Sequence, residues 1–288
     1  MKLFSAVLAI CALLTACADR GAEAAPPQSV AAPVDAGSLL ENAIAGTQRS
    51  PEEKARDQWR HPKETLTFFG VEPSMTVVEI WPGGGWYTKI LASYLKSGGG
   101  VYYAAQRDPA SSARAAEAVQ KFKDSYADKS VYGEVRVSVL GGGGEVAPEG
   151  AADVVLTFRN VHNWMGNGGA DAAANFKAFY RALKPGGVLG VVEHRANQNA
   201  PDDLSSGYVK ESTVMELAVA AGFEFLESSE INANPADTKD HPFGVWTLPP
   251  VRRSSESQGQ ENPNFDRAKY DAIGESDRMT LKFVKPKS

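Results

Sequence analysis

The 288 residues hold 30 Lys and Arg against 35 Asp and Glu, a formal net charge of −5, with no basic stripe. That balance excludes a nucleic-acid partner held through its phosphates. The two cysteines, Cys11 and Cys17, both lie at the extreme N-terminus. The body of the chain therefore has no thiol for a disulfide, a thiolate metal site or a cysteine nucleophile.

The first predicted element is a targeting segment at 1–17. Lys2 is its positive end, residues 3–14 are nearly all apolar, and Leu14-Thr15-Ala16 sets small residues before Cys17. The apolar run is too short to span a bilayer and suits an export signal. The pattern resembles a bacterial lipoprotein signal. That resemblance implies a lipid on Cys17, a mature chain starting there, and an anchor in the cell envelope facing the periplasm. Ala18 after the cysteine resembles an outer-membrane address. An ordinary signal peptide cut near Ala18, or no processing, are the alternatives. Residues 18–37, rich in Ala and Pro, read as a disordered tether, and 38–288 as one domain.

The domain opens with short helices. Ser50-Pro51-Glu52-Glu53 combines a serine cap, a first-turn proline and a capping-box glutamate. Pro62 opens another helix, which Gly70 closes. Strands and helices then alternate. Strands are predicted at 77–81, 101–105, 135–140, 152–158, 188–193, 223–228 and 279–284. Helices are predicted at 86–95, 111–127, 172–183 and 209–221. Phe176, Phe179, Tyr180 and Leu183 share one helical face. Lys184-Pro185-Gly186-Gly187 reads as a turn. Segments 198–206 and 230–274 are long and polar but hold Tyr208, His241, Phe243 and Trp246 nearby or within, which argues for ordered lids. Apolar strands alternating with helices predict an α/β fold: a seven-stranded, mostly parallel sheet, helices on both faces, preceded by short helices. Ligands of such sheets bind beyond the strands' carboxyl ends. Glu79 with the turn to Gly85, Asn160-Val161-His162, and His194 all fall there.

The chain resembles class I S-adenosylmethionine-dependent methyltransferases over residues 62–230. Glu79, Gly83 and Gly85 match that family's first-strand turn, with Trp81 where a glycine often stands. Leu183-Lys184-Pro185-Gly186-Gly187-Val188 matches the turn before its fifth strand. Phe158-Arg159-Asn160-Val161 and Val192-Glu193-His194 look like the ubiquinone/menaquinone C-methyltransferase branch. With Gly274-Glu275-Ser276-Asp277-Arg278-Met279-Thr280-Leu281, the layout resembles exported predicted methyltransferases. The family's acidic residue after the second strand is missing: Gln106 stands there, and Asp108 comes two residues late.

The resemblance implies S-adenosylmethionine as cofactor. Glu79, Gly83, Gly85 and Asn160 would border it, and Gln106 would bond a ribose hydroxyl. Trp81, Trp86 or Tyr87 would lie against the sulfonium, because aromatic faces attract cations. His162 is the first candidate base and His194 the second, histidine titrating near neutrality. Arg159 and Arg195 would bind an anionic part of a small-molecule or lipid-like acceptor. Each residue has a structural alternative. These alternatives are Glu79 as a helix cap, the tryptophans as core, His162 as a partner of loop backbone, and His194 as a structural residue. His61 reads as a cap or surface group, and His241 is open. No histidine pair has metal-ligand spacing and no carboxylate cluster joins one, so no metal is expected. A non-catalytic envelope lipoprotein on the same fold is the rival function. A nicotinamide oxidoreductase is disfavoured by the glycine spacing and by an expected antiparallel last strand.

Overall fold

The structure, a computed structural model, describes residues 35–141, 144–257 and 259–287. The signal-like segment, Cys17 and most of the tether lie outside the described residues.

Four short helices precede the sheet. Helix α1 (Ala36–Ala45) starts on Asp35, whose carboxylate accepts from the Ser38 N–H. Ala36 and Gly37 thus belong to a capped helix and not to the tether. Helix α2 (Pro51–Lys54) starts on the expected capping box: Ser50 Oγ accepts from Glu53 N–H at 3.2 Å, and Glu53 accepts from Ser50 N–H at 2.8 Å. Helices α3 (Asp57–Arg60) and α4 (Pro62–Phe68) follow. His61 joins them with a left-handed φ of 38° and makes no side-chain cap.

Strand β1 (Thr76–Ile80), helix α5 (Thr88–Gly98) and strand β2 (Val101–Arg107) come next. Helices α6 (Ala113–Ser125) and α7 (Lys129–Tyr132) lead to strand β3 (Val135–Leu140). Strand β4 (Ala152–Phe158), helix α8 (Ala170–Ala182), strand β5 (Leu183–His194), helix α9 (Glu211–Ala221), strand β6 (Glu224–Ser229), helix α10 (Arg267–Asp271) and strand β7 (Arg278–Val284) complete the fold. The sheet order is β3-β2-β1-β4-β5-β7-β6. All pairings are parallel except those of β7, which runs antiparallel to β5 and β6.

The sheet is buried on both faces because successive side chains point to opposite sides. Val77, Val154 and Leu156 pack into one core with Ile90 and Leu91 of α5 and with Leu66 and Phe69 from the N-terminal helices. Val78, Ile80 and Val155 pack into the other with Phe176 and Phe179 of α8. This explains the near-continuous apolar runs of β1 and β4.

Most element ends lie one to three residues from the sequence expectation, and two differences matter for the site. Strand β1 stops at Ile80, and Trp81 lies beyond it at a φ of 43°. The expected turn at 184–187 lies inside β5: Leu183 already pairs with Ala152, and an irregularity separates that pair from Val154–Val188. Gly186, at a φ of 80°, takes the backbone through it.

The order reverses at β1, between β2 and β4, which places a crevice over the carboxyl ends of those strands. The segment between β6 and β7 covers it and is held from below. Asp237 accepts from Tyr208 Oη at 3.0 Å, from His241 Nε2 at 2.8 Å and from Asp277 N–H at 2.8 Å. His241, open in the sequence, is thus a buried tie of this cover.

Candidate active site

Four chain segments meet in the crevice. The turn of residues 81–87 leaves β1, residues 159–163 leave β4, β5 ends on Glu193 and His194, and β7 starts on Arg278. With residues 245–251 of the cover they enclose a cleft of ≈ 420 Å³. A larger cavity, ≈ 540 Å³, lies by residues 196–213. Its lysines are already paired, Lys210 with Asp202 at 2.9 Å and Lys239 with Asp277 at 2.8 Å.

His162 is fixed by a buried carboxylate. Its Nδ1 lies 3.0 Å from Glu193 Oε1, and its backbone N–H donates to Glu193 Oε2 at 3.3 Å. Glu193 also accepts from the His194 N–H at 2.7 Å. Two backbone donors require Glu193 to be an acceptor, so Nδ1 of His162 donates to it and Nε2 is the ring nitrogen left for other partners. Nε2 meets only the exposed Asn163 amide, at 3.1 Å. Trp246 of the cover stands edge-on to the ring, with centroids 6.1 Å apart. This is the arrangement of an oriented general base.

His194 sits behind it, ring centroids 5.3 Å apart, with Nδ1 against Ser276 Oγ at 2.5 Å. Burial first, then His162 and Arg278, hold its pKa well below the ordinary imidazole value, so it stays neutral. His162, Glu193 and His194 present ligand atoms within 4.8 Å of one another. A carboxylate therefore does join two histidines, unlike the sequence expectation, because β5 lies beside the segment leaving β4. Glu193 is already occupied by N–H donors, and Arg278, Arg159 and Arg60 add positive charge around His194. Both oppose a cation there.

A cationic wall faces the histidines. Arg56, Arg60 and Arg278 all bond Glu275, which is 2% exposed. Burial alone would raise the Glu275 pKa, but Arg278, Arg60, Arg56 and Arg159 outweigh it and hold it well below the usual carboxylate range. Arg159 has a left-handed φ of 60° and lines the cleft. Burial first, and then Arg278, lower its pKa to about 10, which leaves it charged at neutral pH. Arg195, expected beside it, lies outside the cleft. Asp277 and Glu230 engage it at 2.7–3.0 Å, so it is not free for substrate.

The residues expected around the cofactor divide into two groups. Glu79, 2% exposed, takes Thr88 Oγ1 at 2.8 Å and Tyr102 Oη at 2.5 Å on Oε2, so this carboxylate anchors the start of α5. Burial raises its pKa to about 7, against the lowering by those two hydroxyls. Gly85 admits the Tyr126 ring and not a ligand: a Cβ there would lie 1.7 Å from the Tyr126 hydroxyl. The aromatic faces also have partners. The Arg107 guanidinium lies 3.9 Å over Trp81, Arg49 and Arg60 lie over Trp86, and Tyr87 stacks on Phe158 at 3.7 Å. The protein's own cations and rings thus occupy the places expected for a sulfonium.

The second group fits the cofactor. Gly84 has no atom within 4 Å of a Cβ built on it, and one built on Gly83 meets only Trp81 O at 4.0 Å. Trp81 Nε1 and Gln106 Nε2 are buried donors without partners, at the carboxyl ends of β1 and β2. Buried donors are rarely left so, and a hydroxyl of the cofactor would satisfy Trp81, which lines the cleft. Asn160 borders the cleft while its Nδ2 donates to Ile80 O at 2.8 Å. Gln106 itself does not line the cleft, which reaches no further than Trp81 along this edge.

Sequence reasoning missed Glu193, Glu275, Arg278, Arg56 and Arg60. The available signal was weak: Glu193 is a lone carboxylate ending an apolar strand, and Glu275 and Arg278 stand three apart in a charged stretch.

No protein-family model matches the chain, and no curated protein does. Solved structures are similar in fold. The cyclase SpnF is 16% identical, with a TM-score of 0.51 over 87% of this chain and 93% of its own. A geranyl diphosphate methyltransferase in complex with SAM is 13% identical, with a TM-score of 0.49 over 85% and 94%. A SAM-dependent methyltransferase from Aquifex aeolicus is 17% identical, with a TM-score of 0.45 over 69% and 93%. Such identities speak to fold alone, and a cyclase among them shows that the fold does not fix the reaction. Sheet order and the antiparallel β7 define a seven-stranded, mostly parallel, Rossmann-like fold, which SpnF shares.

Proposed function

We propose that this chain is an S-adenosylmethionine-dependent methyltransferase in which His162 deprotonates a small-molecule or lipid-like acceptor. The observation that carries this reading is the Glu193–His162 pair at the carboxyl ends of β4 and β5, in one cleft with the open glycine turn after β1.

The cofactor supplies, when bound, a methyl group on an electrophilic sulfonium. Gly83 and Gly84 would border it, and Trp81 would donate to its polar groups. His162 Nε2 takes a proton from the acceptor's nucleophilic atom, displacing the Asn163 amide. The imidazolium so formed keeps Nδ1–H on Glu193, whose negative charge stabilises it. Trp246, Phe158 and Tyr87 narrow the cleft and limit water around the nucleophile. Held in place, the acceptor gains most of its rate from proximity and alignment.

The proposal extends to location and acceptor type. A lipid on Cys17 would anchor the protein to the cell envelope, facing the periplasm. The support is the signal-like segment, and the test is Cys17→Ser: release from membranes is expected, and continued sedimentation with them overturns it. An isoprenoid-like acceptor rests on the quinone-methyltransferase likeness of residues 158–161 and 192–194.

Calorimetric titration with S-adenosylmethionine and S-adenosylhomocysteine tests the activity class. Binding that is lost in Gly84→Val is expected. A folded protein that binds neither compound overturns the reading.

A further inference from the structure

Arg56, Arg60, Arg159 and Arg278 line the cleft and share one carboxylate, Glu275. Guanidinium groups stay protonated in proteins, so four against Glu275 and the nearby Glu193 leave a surplus of two positive charges. Glu275 is fully used. Its Oε1 accepts from Arg56 Nε at 2.6 Å and Arg60 Nε at 3.3 Å, and its Oε2 accepts from Arg60 Nε at 3.0 Å and from Arg278. Donors remain. Arg56 Nη2, Arg60 Nη2 and Arg278 Nε are buried without partners. The Arg159 guanidinium has no hydrogen-bonded or ion-paired partner among the described residues. Arg60 and Arg278 are each 2% exposed.

Buried charged donors without acceptors are costly, and so is a left-handed arginine such as Arg159. A fold keeps both in one place where a ligand supplies the missing acceptors. The guanidinium fork matches carboxylate and phosphate oxygens. One carboxylate would leave half of the charge surplus uncompensated. A phosphoryl group brings two charges and three terminal oxygens to the three unpartnered nitrogens and the Arg159 guanidinium.

Position assigns this site to the acceptor side. Arg278 pairs in register with His194, whose ring packs on His162. Arg159 precedes the His162 segment by three residues and follows β4. Both stand on the β4–β5–β7 side of the cleft, away from the β2 end. We propose that the acceptor carries a doubly charged oxyanion of the phosphoryl type, held by these four arginines beside His162. The assignment to an acceptor, though not the anion site itself, rests on the methyltransferase reading above.

Calorimetric titration of the full chain with inorganic phosphate tests this, with acetate as the singly charged control and saturating S-adenosylhomocysteine in a parallel series. Arg159→Gln removes the unpaired guanidinium. Arg136→Gln, an exposed arginine on β3 paired with Glu134, controls for general charge. Phosphate is expected to bind, roughly tenfold more weakly in Arg159→Gln, unchanged in Arg136→Gln, more tightly than acetate, and alongside S-adenosylhomocysteine. No phosphate binding, equal binding by Arg159→Gln, or acetate binding as tightly as phosphate overturns the site. Competition between phosphate and S-adenosylhomocysteine overturns the acceptor assignment, because the arginines would then hold the cofactor's carboxylate. Phosphate binding without any S-adenosylhomocysteine binding upholds the anion site and removes the methyltransferase reading instead.

Discussion

Glu193 Oε1 lies 3.0 Å from His162 Nδ1, although 31 residues separate the two. The contact exists because β4 and β5 are neighbours, so the segment leaving β4 passes over the end of β5. The consequence is an imidazole whose Nδ1–H is fixed on Glu193 and whose Nε2 is left to the exposed Asn163 amide.

This tautomer makes His162 a better nucleophile than the buried histidines, which predicts a reactivity pattern independent of any acceptor. Diethyl pyrocarbonate should modify His162 before His194 and His241, which are 7% and 8% exposed. Glu193→Gln keeps one acceptor oxygen for His162 Nδ1 and the His194 N–H, removes the charge and the acceptor of the His162 N–H, and should slow His162 modification several-fold. In a methyl-transfer assay with labelled cofactor and a small-molecule extract, the same variant should lose turnover by about 10²-fold with little change in KM. Equal His162 modification in both proteins would show that Glu193 only satisfies backbone.

Glu79 gives stability an unusual pH dependence. Its pKa rises on folding, from 4.5 to about 7, because burial outweighs the Tyr102 and Thr88 hydrogen bonds. A raised pKa means the folded form binds the proton more tightly. The Glu79 contribution is therefore fully present below its unfolded pKa and is lost as pH rises through about 7. At 1.36 kcal/mol per pH unit this amounts to about 3 kcal/mol. Glu79→Gln accepts the same two hydroxyl bonds without titrating. Denaturant unfolding from about pH 4 to about pH 8 should show Glu79→Gln gaining on the wild type by that order. A constant difference between the two proteins would mean that Glu79 does not change its proton affinity on folding.

Glu275 has the opposite sign. Its pKa is held below the ordinary value, so its contribution is present above that value and is lost as pH falls. Glu275→Gln leaves four guanidinium groups facing one another and should cost roughly 3–5 kcal/mol. Adding Arg159→Gln should return roughly 1 kcal/mol by relieving repulsion. A double variant no more stable than Glu275→Gln would place Arg159 outside the charge cluster. Recovery of stability together with loss of phosphate binding is the signature of an arginine kept for its ligand.

The sheet was legible in the sequence because a parallel strand buried on both faces must be apolar along its length. Strands β3 and β4 have the expected bounds, 135–140 and 152–158. Trp81 was placed in the first strand because its apolar ring continues the run, and only its positive φ reveals the turn. The site was less legible because its partners are remote. Arg60 and Glu275 stand 215 residues apart and meet only when β7 inserts between β5 and β6. The aromatic residues near the glycine turn were visible, but not the arginines that cover Trp81 and Trp86, since nothing in local spacing brings Arg107, Arg49 or Arg60 to those rings. Arg195 was misread for the same reason: Glu230 and Asp277, which occupy it, are distant in sequence.

The glycine turn separates a binding defect from a folding defect, at adjacent residues. Gly85 has a φ of 77°, and a Cβ on it would fall 1.7 Å from the Tyr126 hydroxyl, which donates to Gly85 O at 3.1 Å. Gly85→Ala must displace that ring and strain the backbone, at a cost of roughly 1–3 kcal/mol or more. Any loss of cofactor binding in that variant would track its unfolding. Gly84 has open space around its Cβ position and no positive φ. Gly84→Val should unfold at the wild-type denaturant midpoint and still lose S-adenosylhomocysteine, because its side chain fills the space where a ligand reaches the turn. Normal binding by Gly84→Val would mean that no ligand approaches this backbone closely, and the cleft would then serve its anion without a cofactor at the glycine turn.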